Sequence, residues 1–398
     1  MAESGSPSRR QFLLGGAAAA TAGVAIGIGA DRAVLAAQSA AEAPHGETVE
    51  PFFGAHQAGI ATDAQAYATL LAFDLREETD KAALRRMMSI LTDDAARLTQ
   101  GIPALADSEP ELALHPARLT ITFGFGPEFV TRAEGSAPAW LAPLPSFRID
   151  ALQEEYSHGD FFVQVASDDP TTAAHAVRMI VKDTRGFAAP RWQQRGFRHS
   201  HGTFKPGVTM RNLFGQVDGT GNTVPGTDDF DYVVWSNDGW LAGGTSLVLR
   251  RIRMDLDTWD HVGRSDRELS VGRRLDNGAP LTGEEEHDAL DLSATDAGGR
   301  PVIPPYAHAR RARSDDPRER IFRRGYNYDD PPEGGGDENS GQLFMSFQAD
   351  VDAQFVPLQR RLEELDLLNL WTTPIGSSVF AIPPGCQEGG YVGETLLE

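Results

Sequence analysis

Thr69-Leu70-Leu71-Ala72-Phe73-Asp74-Leu75 is an apolar run of strand length, and its surroundings decide the fold. Behind it, residues 80–100 place Leu84, Met87, Met88, Leu91, Ala95 and Leu98 at helical spacing, and Gly101 supplies a stop. Leu119, Ile121, Phe123 and Phe125 then alternate with Thr120, Thr122 and Gly124, which predicts a strand. Phe161, Val163 and Val165 mark another. Residues 171–185 read as a helix ended by Gly186, and residues 191–197 as a closing strand. The order is βαββαβ, a split βαβ or ferredoxin-like unit.

The same order recurs further along. Residues 245–256 form a long strand candidate, and further strands are expected at 326–328, 343–348 and 379–382. Residues 352–370 are amphipathic through Phe355, Leu358, Leu362 and Leu365. Residues 259–325 are left to carry the first helix of this half and a long excursion. The expected fold class is α+β, with two ferredoxin-like halves arranged like a dimeric α+β barrel. The expected boundaries are a leader at 1–40, a first half at 41–200, and a connector plus second half at 201–398. The connector, residues 199–244, shows no evident secondary structure, and such a length usually has a functional reason.

The 398 residues carry a formal net charge of −21, from 57 acidic against 36 basic side chains. Nucleic acid or an anionic membrane would be repelled, so neither is expected as a partner. The lone Cys386 excludes an internal disulfide and a CxxC site. At the start, Ser8-Arg9-Arg10-Gln11-Phe12-Leu13 sets paired arginines before an uncharged run, residues 11–30, and an Ala-rich stretch, residues 33–40. This is the form of a twin-arginine export signal, too Gly-rich for a membrane anchor. The expectation is export through the twin-arginine machinery, to the cell envelope or beyond, with no stable membrane span after processing. That route carries folded proteins and raises the expectation of a prosthetic group.

Two stretches could carry chemistry. In Gly215-Gln216-Val217-Asp218-Gly219-Thr220-Gly221-Asn222, glycines flank an aspartate, so backbone can approach a planar ligand while a short carboxylate projects. Taken alone the motif is weak, and an ordinary Asp-Gly turn is the better explanation. His308 is one of ten histidines, and a lone histidine is most often structural. It is followed, however, by Arg310, Arg311, Arg313, Arg318, Arg320, Arg323 and Arg324 in an acidic chain. A buried dianionic ligand such as haem explains such a cluster better than nucleic acid does.

Gly215-Gln216-Val217-Asp218-Gly219 resembles the GxxDG motif of dye-decolourising peroxidases, and other segments agree with that family in order. They are residues 50–60 (EPFFGAHQAGI), 119–127 (LTITFGFGP), 239–245 (GWLAGGT), 323–326 (RRGY), 340–348 (SGQLFMSFQ) and 374–377 (PIGS). The resemblance covers nearly all of the chain behind the leader. It implies two ferredoxin-like halves and one b-type haem per chain, held mainly by the second half.

By the same resemblance, His308 is the axial ligand of the iron and Asp366 receives its other N–H, although a solvated helix face would also explain Asp366. Asp218 would move the proton of hydrogen peroxide, and Arg323 would stabilise the charge that develops as the O–O bond breaks. Arg320 and Arg324 compete with Arg323 for that place, because the stretch from His308 is short and crowded with arginine. Gly219, Thr220, Asn222 and Phe347 are expected against the haem, and Arg251 and Arg310 at its propionates. An aspartate base predicts activity at acidic pH. Dyes are too bulky for a closed pocket, so Trp235, Trp240, Trp259 and Tyr326 are relay candidates, each more readily read as core. The implied function is a haem peroxidase that oxidises dyes, phenols or other reductants with hydrogen peroxide, as a monomer or a homo-oligomer. Iron release from haem (deferrochelatase-like), a haem carrier and a cofactor-free stress-barrel protein are the competing readings.

Overall fold

The apolar run expected as the first strand is β1, Tyr67–Leu75, buried along nearly its whole length because both faces of the sheet are covered. This computed structural model describes residues 44–332 and 338–398, so the expected export signal lies outside the described residues. Gly46–Glu398 form one unit, which holds both halves of the fold. Helix α1, Lys81–Thr99, starts where the Asp80 carboxylate accepts from the Ala83 N–H. Then come β2, Thr120–Phe125, the short α2, Pro127–Arg132, and β3, Phe161–Ser167. Helix α3, Pro170–Thr184, is capped by Asp169, and β4, Ala188–Phe197, closes the half. Leu84, Met88 and Leu91 of α1 meet Ala176 and Ile180 of α3 over Phe123 and Phe161 of the sheet, one continuous core.

The connector is less bare than its sequence suggests. It holds α4, Asp228–Val234, which buries Phe230, Val233 and Val234 and is capped by Thr227. Strand β5, Thr245–Met254, comes next, and then the excursion with three short helices: α5, Leu256–Asp260, α6, Arg264–Val271, and α7, His308–Arg311. The second half continues through β6, Phe322–Arg323, β7, Tyr326–Asp330, and β8, Asn339–Gln348. A π turn at Val351–Phe355 leads into α8, Val356–Leu365, and β9, Thr372–Ile382, completes the sheet ahead of a terminal α9, Glu394–Leu397. The amphipathic stretch thus ends five residues short of the expected 370. Asp366 takes an extended conformation there and caps a new 3-10 turn, Leu367–Leu370, through the Leu368 N–H.

Strand order is β2-β3-β1-β4 in the first half and β9-β5-β8-β7 in the second, all antiparallel. Both follow one ferredoxin-like pattern. The halves join at Phe125↔Ala381 and Phe197↔Asn327, and the β5–β8 pairing closes the sheet into a barrel. Leu70, Phe162, Leu249, Tyr328, Met345 and Phe380 come from strands around the whole sheet and meet in one cluster, which fills the barrel. Trp235, Trp259 and Tyr326 are buried, and Trp240 is half-buried against the first core. All four relay candidates thus pack inside the fold or against its first core.

The seam between β5 and β8 leaves no room at Gly341. A Cβ there would stand 2.0 Å from the Ile252 carbonyl oxygen and 2.8 Å from the Tyr328 ring. Gly341→Ala is expected to lower the unfolding free energy by about 1–3 kcal/mol, the ordinary cost of overpacking, as read from a denaturant titration.

Candidate functional site

The GxxDG stretch is the return arm of a small hairpin. Arg211 bridges Val217, the Asn212 N–H donates to the Gln216 carbonyl (3.1 Å), and the Asp218 N–H donates to the Met210 carbonyl (2.8 Å). Gly215 makes the turn at φ +79° and Gly219 leaves the hairpin at φ +134°, both in the region that favours glycine. The Asp-Gly turn and the functional reading are therefore the same object: the turn is what aims Asp218.

Three donors converge on that carboxylate. Arg323 Nη1 donates to Oδ1 at 3.1 Å, Gln342 Nε2 to Oδ2 at 2.6 Å, and Asn212 Nδ2 to Oδ2 at 3.3 Å. Burial works to raise the Asp218 pKa, but the Arg323 charge and the donated hydrogen bonds outweigh it and hold it below the usual carboxylate value. Arg323 itself is fixed from behind. Asn222 donates to its carbonyl (2.7 Å) and accepts from its N–H (2.9 Å), a two-point clamp on β6. Of the rival arginines, Arg320 also lines the cavity but pairs with Asp229 rather than Asp218, and Arg324 turns away to Gln65 (2.9 Å) and the Thr62 carbonyl.

His308 begins α7, and its Nδ1 lies 2.6 Å from Asp366 Oδ2, which leaves Nε2 as the free ring atom. Burial opposes the charged imidazole, but the Asp366 carboxylate outweighs it and raises the His308 pKa. Asp366 is 6% exposed, so the solvated helix face is not its environment. Its position at the break between α8 and the next turn is what points it inward.

These groups line one cavity of about 540 Å³, bounded by the outer face of the second-half sheet and by α8. Asp218, Arg323, His308, Asp366, Gly219, Thr220 and Asn222 all reach it. Three expected contacts do not. Arg251 points into the barrel, where it meets Asp330 (2.8 Å) and stacks 3.6 Å from the Tyr328 ring centroid. Phe347 faces the same interior and packs with Phe322 and Leu247. Arg310 donates to the Leu292 carbonyl (2.6 Å), away from the cavity. The reason is strand alternation. Arg250, Ile252 and Met254 of β5 and Gln342 and Phe344 of β8 face the cavity, so odd-numbered Arg251 and Phe347 cannot. Sequence reading missed Arg250, Arg273, Asn212 and Gln342. Both faces of β5 are buried, so only its register against β8 tells which arginine faces which side.

The residues present suit haem. The volume falls in the ~300–1,000 Å³ range of cofactor pockets. Phe214, Ile252, Phe344, Leu358 and Leu368 give apolar walls for a flat macrocycle, and His308 offers an imidazole oriented by a carboxylate. Gln216 Nε2, Thr223 Oγ1 and Arg250 Nε, all on cavity-lining residues, are buried without a protein partner. Such atoms fit a ligand with its own acceptors.

Comparison with known proteins gives the same picture for both halves. The family models described as Dyp-type peroxidase, N-terminal, and Dyp-type peroxidase, C-terminal, match residues 57–198 and 209–387. The crystal structure of a DyP-type peroxidase from Cellulomonas bogoriensis is 53% identical, with a TM-score of 0.87 over 89% of this chain and 100% of that one. The dye-decolorizing peroxidase of Thermobifida fusca (strain YX) is 38% identical over 423 residues, 98% of this chain and 97% of its own. A deferrochelatase of Yersinia pestis bv. Antiqua (strain Nepal516) is 33% identical over 424 residues, 100% of this chain and 96% of its own.

The clamp on Arg323 can be tested apart from any chemistry. Asn222→Ala removes both hydrogen bonds and strands two backbone groups of β6. It is expected to cost about 1–3 kcal/mol in a reversible unfolding experiment.

Proposed function

The chain belongs to the Dyp-type peroxidase family, and we propose that Asp218 and Arg323 act on the peroxide while His308 holds the haem iron. As a member it is a haem-dependent peroxidase, with peroxide as acceptor and a reducing substrate as donor. The bound haem supplies the iron at which the O–O bond is cleaved. The observation that carries the residue roles is the meeting, in one cavity, of an imidazole tied to a carboxylate and a carboxylate tied to a guanidinium.

Asp218 is suited to carry a proton from the near to the leaving oxygen of the peroxide, because Gln342, Asn212 and Arg323 fix its orientation. Arg323 supplies a positive charge beside the oxygen that becomes negative. Asp366 fixes the tautomer and ring orientation of His308, so that Nε2 is the ligand atom. Arg250, not Arg251, is the arginine of β5 that can meet an acidic group of the cofactor, with Asp150 holding it from the side. Dyes and phenols are the reductants we assign, by likeness to the relative from Thermobifida fusca. Iron release is the second reading, favoured by the deferrochelatase relatives. Asp218 and Arg323 support the peroxidase reading over a carrier, which needs neither. Paired Arg9 and Arg10 ahead of an uncharged run support export by the twin-arginine route.

The pH dependence follows from the sign of the Asp218 shift. Its pKa in the folded protein is lowered, so the carboxylate stays ionised into acid, and base function is lost only as pH falls through that depressed value. Asp218→Ala is expected to slow peroxide activation at pH 4 by about 10²–10⁴-fold in stopped-flow absorbance, the usual worth of a positioned acid–base group. Equal rates in the two proteins would remove Asp218 from the mechanism. Arg323→Ala should move the acid limb of the profile upward, since the main charge holding the pKa down is gone. Iron-free porphyrin extracted after turnover would establish the iron-release reading, and intact haem would dismiss it.

A further inference from the structure

Behind Asp218 lies a second, much smaller chamber, of about 30 Å³. Its wall includes Asp218, Arg323 and Asn222, shared with the large cavity, and adds Arg198 and Met210. The volume suits a single molecule the size of water or hydrogen peroxide. Met210 Sδ accepts from Arg198 Nε at 3.0 Å, and the Met210 carbonyl accepts from the Asp218 N–H at 2.8 Å. Met210 and Asp218 are thus paired across the hairpin through their backbones, and both residues line the small chamber. All six described methionines are buried, so access from bulk solvent does not distinguish them. Only Met210 and Met254 line either of these two cavities, and only Met210 shares the small chamber with Asp218.

We infer that Met210 is a built-in oxidation site: peroxide that enters the chamber without productive cleavage converts its thioether to the sulfoxide, and this limits the enzyme's own peroxide reaction. The inference rests on the reading of the Asp218 wall as the side that peroxide reaches. The chemistry balances without another reagent. A sulfur lone pair attacks one peroxide oxygen, the S–O bond forms and the O–O bond breaks. The proton of the attacked oxygen passes to the departing one, which leaves as water. Sulfur is oxidised by two electrons and the peroxide is reduced by two. Arg198 and Arg323, both on the chamber wall, stabilise the charge on the departing oxygen. The product oxygen occupies room in a chamber sized for one small molecule. It is also a stronger acceptor for Arg198 than the thioether it replaces.

The test uses the haem-loaded full chain and a graded excess of hydrogen peroxide, with no reducing substrate. Peptide mass spectrometry then quantifies the added oxygen at each methionine. Met210 is expected to oxidise about fivefold or more faster than Met345, Met179, Met87 and Met88, since reagent access rather than residue type sets the rate. Equal oxidation of Met210 and Met345, in protein whose haem reacts with peroxide, overturns the inference. In a second arm, Met210→Leu and wild type are each compared with themselves before and after the same peroxide treatment. The wild-type rate of peroxide activation should fall with sulfoxide content, whereas the variant keeps its own starting rate. An identical fractional fall in both overturns the self-limiting role. The two readings fail separately. Selective oxidation of Met210 alongside unchanged peroxide activation in Asp218→Ala would remove the catalytic role of Asp218 and leave the oxidation site standing.

Discussion

Strand β5 is hydrogen-bonded along both edges, to β8 and to β9, and it buries two consecutive arginines. That constraint organises much of what surrounds it. A buried guanidinium needs a partner, and adjacent residues of a strand point to opposite faces. Arg250 therefore looks outward, toward the cavity and Asp150, and Arg251 looks inward, between Tyr156 and Tyr328 and against Asp330. Asp150 and Tyr156 belong to the first half. The same segment laces onto β9 through Ala151 to the Pro374 carbonyl, Gln153 to Ile375 and His158 to Ser377. Charge satisfaction on one strand thus fastens the two halves together beside the site.

Local patterning carried the first half of the fold and most of the second. Residues 69–75 and 119–125 are strands because their apolar spacing allows nothing else of that length. Asp80 and Asp169 start their helices with the expected caps. What local patterning did not carry was decided by pairing over long distances. The register Arg250↔Phe344 and Ile252↔Gln342 selects the cavity face, and nothing in the sequence of β5 alone prefers Arg250 to Arg251. Phe347 misled because both faces of β8 are buried, although Leu343, Met345 and Phe347 share the apolar face and Gln342, Ser346 and Gln348 the other. The inward turn of Asp366 likewise depends on where α8 breaks, and an amphipathic pattern running on to residue 370 conceals that break.

Asp218 and His308 were singled out by a Gly-flanked motif, an arginine-rich stretch and a family resemblance rather than by periodicity. Each sits where the backbone does something special, at a Gly-flanked hairpin arm and at the first residue of a short helix. The structure then sets their proton affinities in opposite directions. Arg323 pulls the Asp218 pKa down against burial, and Asp366 pulls that of His308 up against burial. Two titratable groups in one cavity, driven apart by their partners, can be given different tasks at a single pH. Arg323 acts on both groups: its charge drives the Asp218 shift and works against that of His308, which Asp366 carries.

The two chambers divide that environment by size and polarity. The large one has apolar walls and room for a macrocycle, whereas the small one has two guanidiniums, two side-chain amides and a carboxylate around the space of a single small molecule. Asp218, Gly219, Asn222, Arg323, Gln342 and Phe344 belong to both. Gly219 matters here because a left-handed backbone at φ +134° lets the hairpin arm turn away immediately after Asp218, so its side chain divides the two spaces. A side chain at that place is strained by the positive φ and brings its Cβ to 3.3 Å from Thr209 Cγ2. The GxxDG pattern is thus a physical requirement of a shared wall: a turn to aim the carboxylate, and a second glycine to keep both of its faces open.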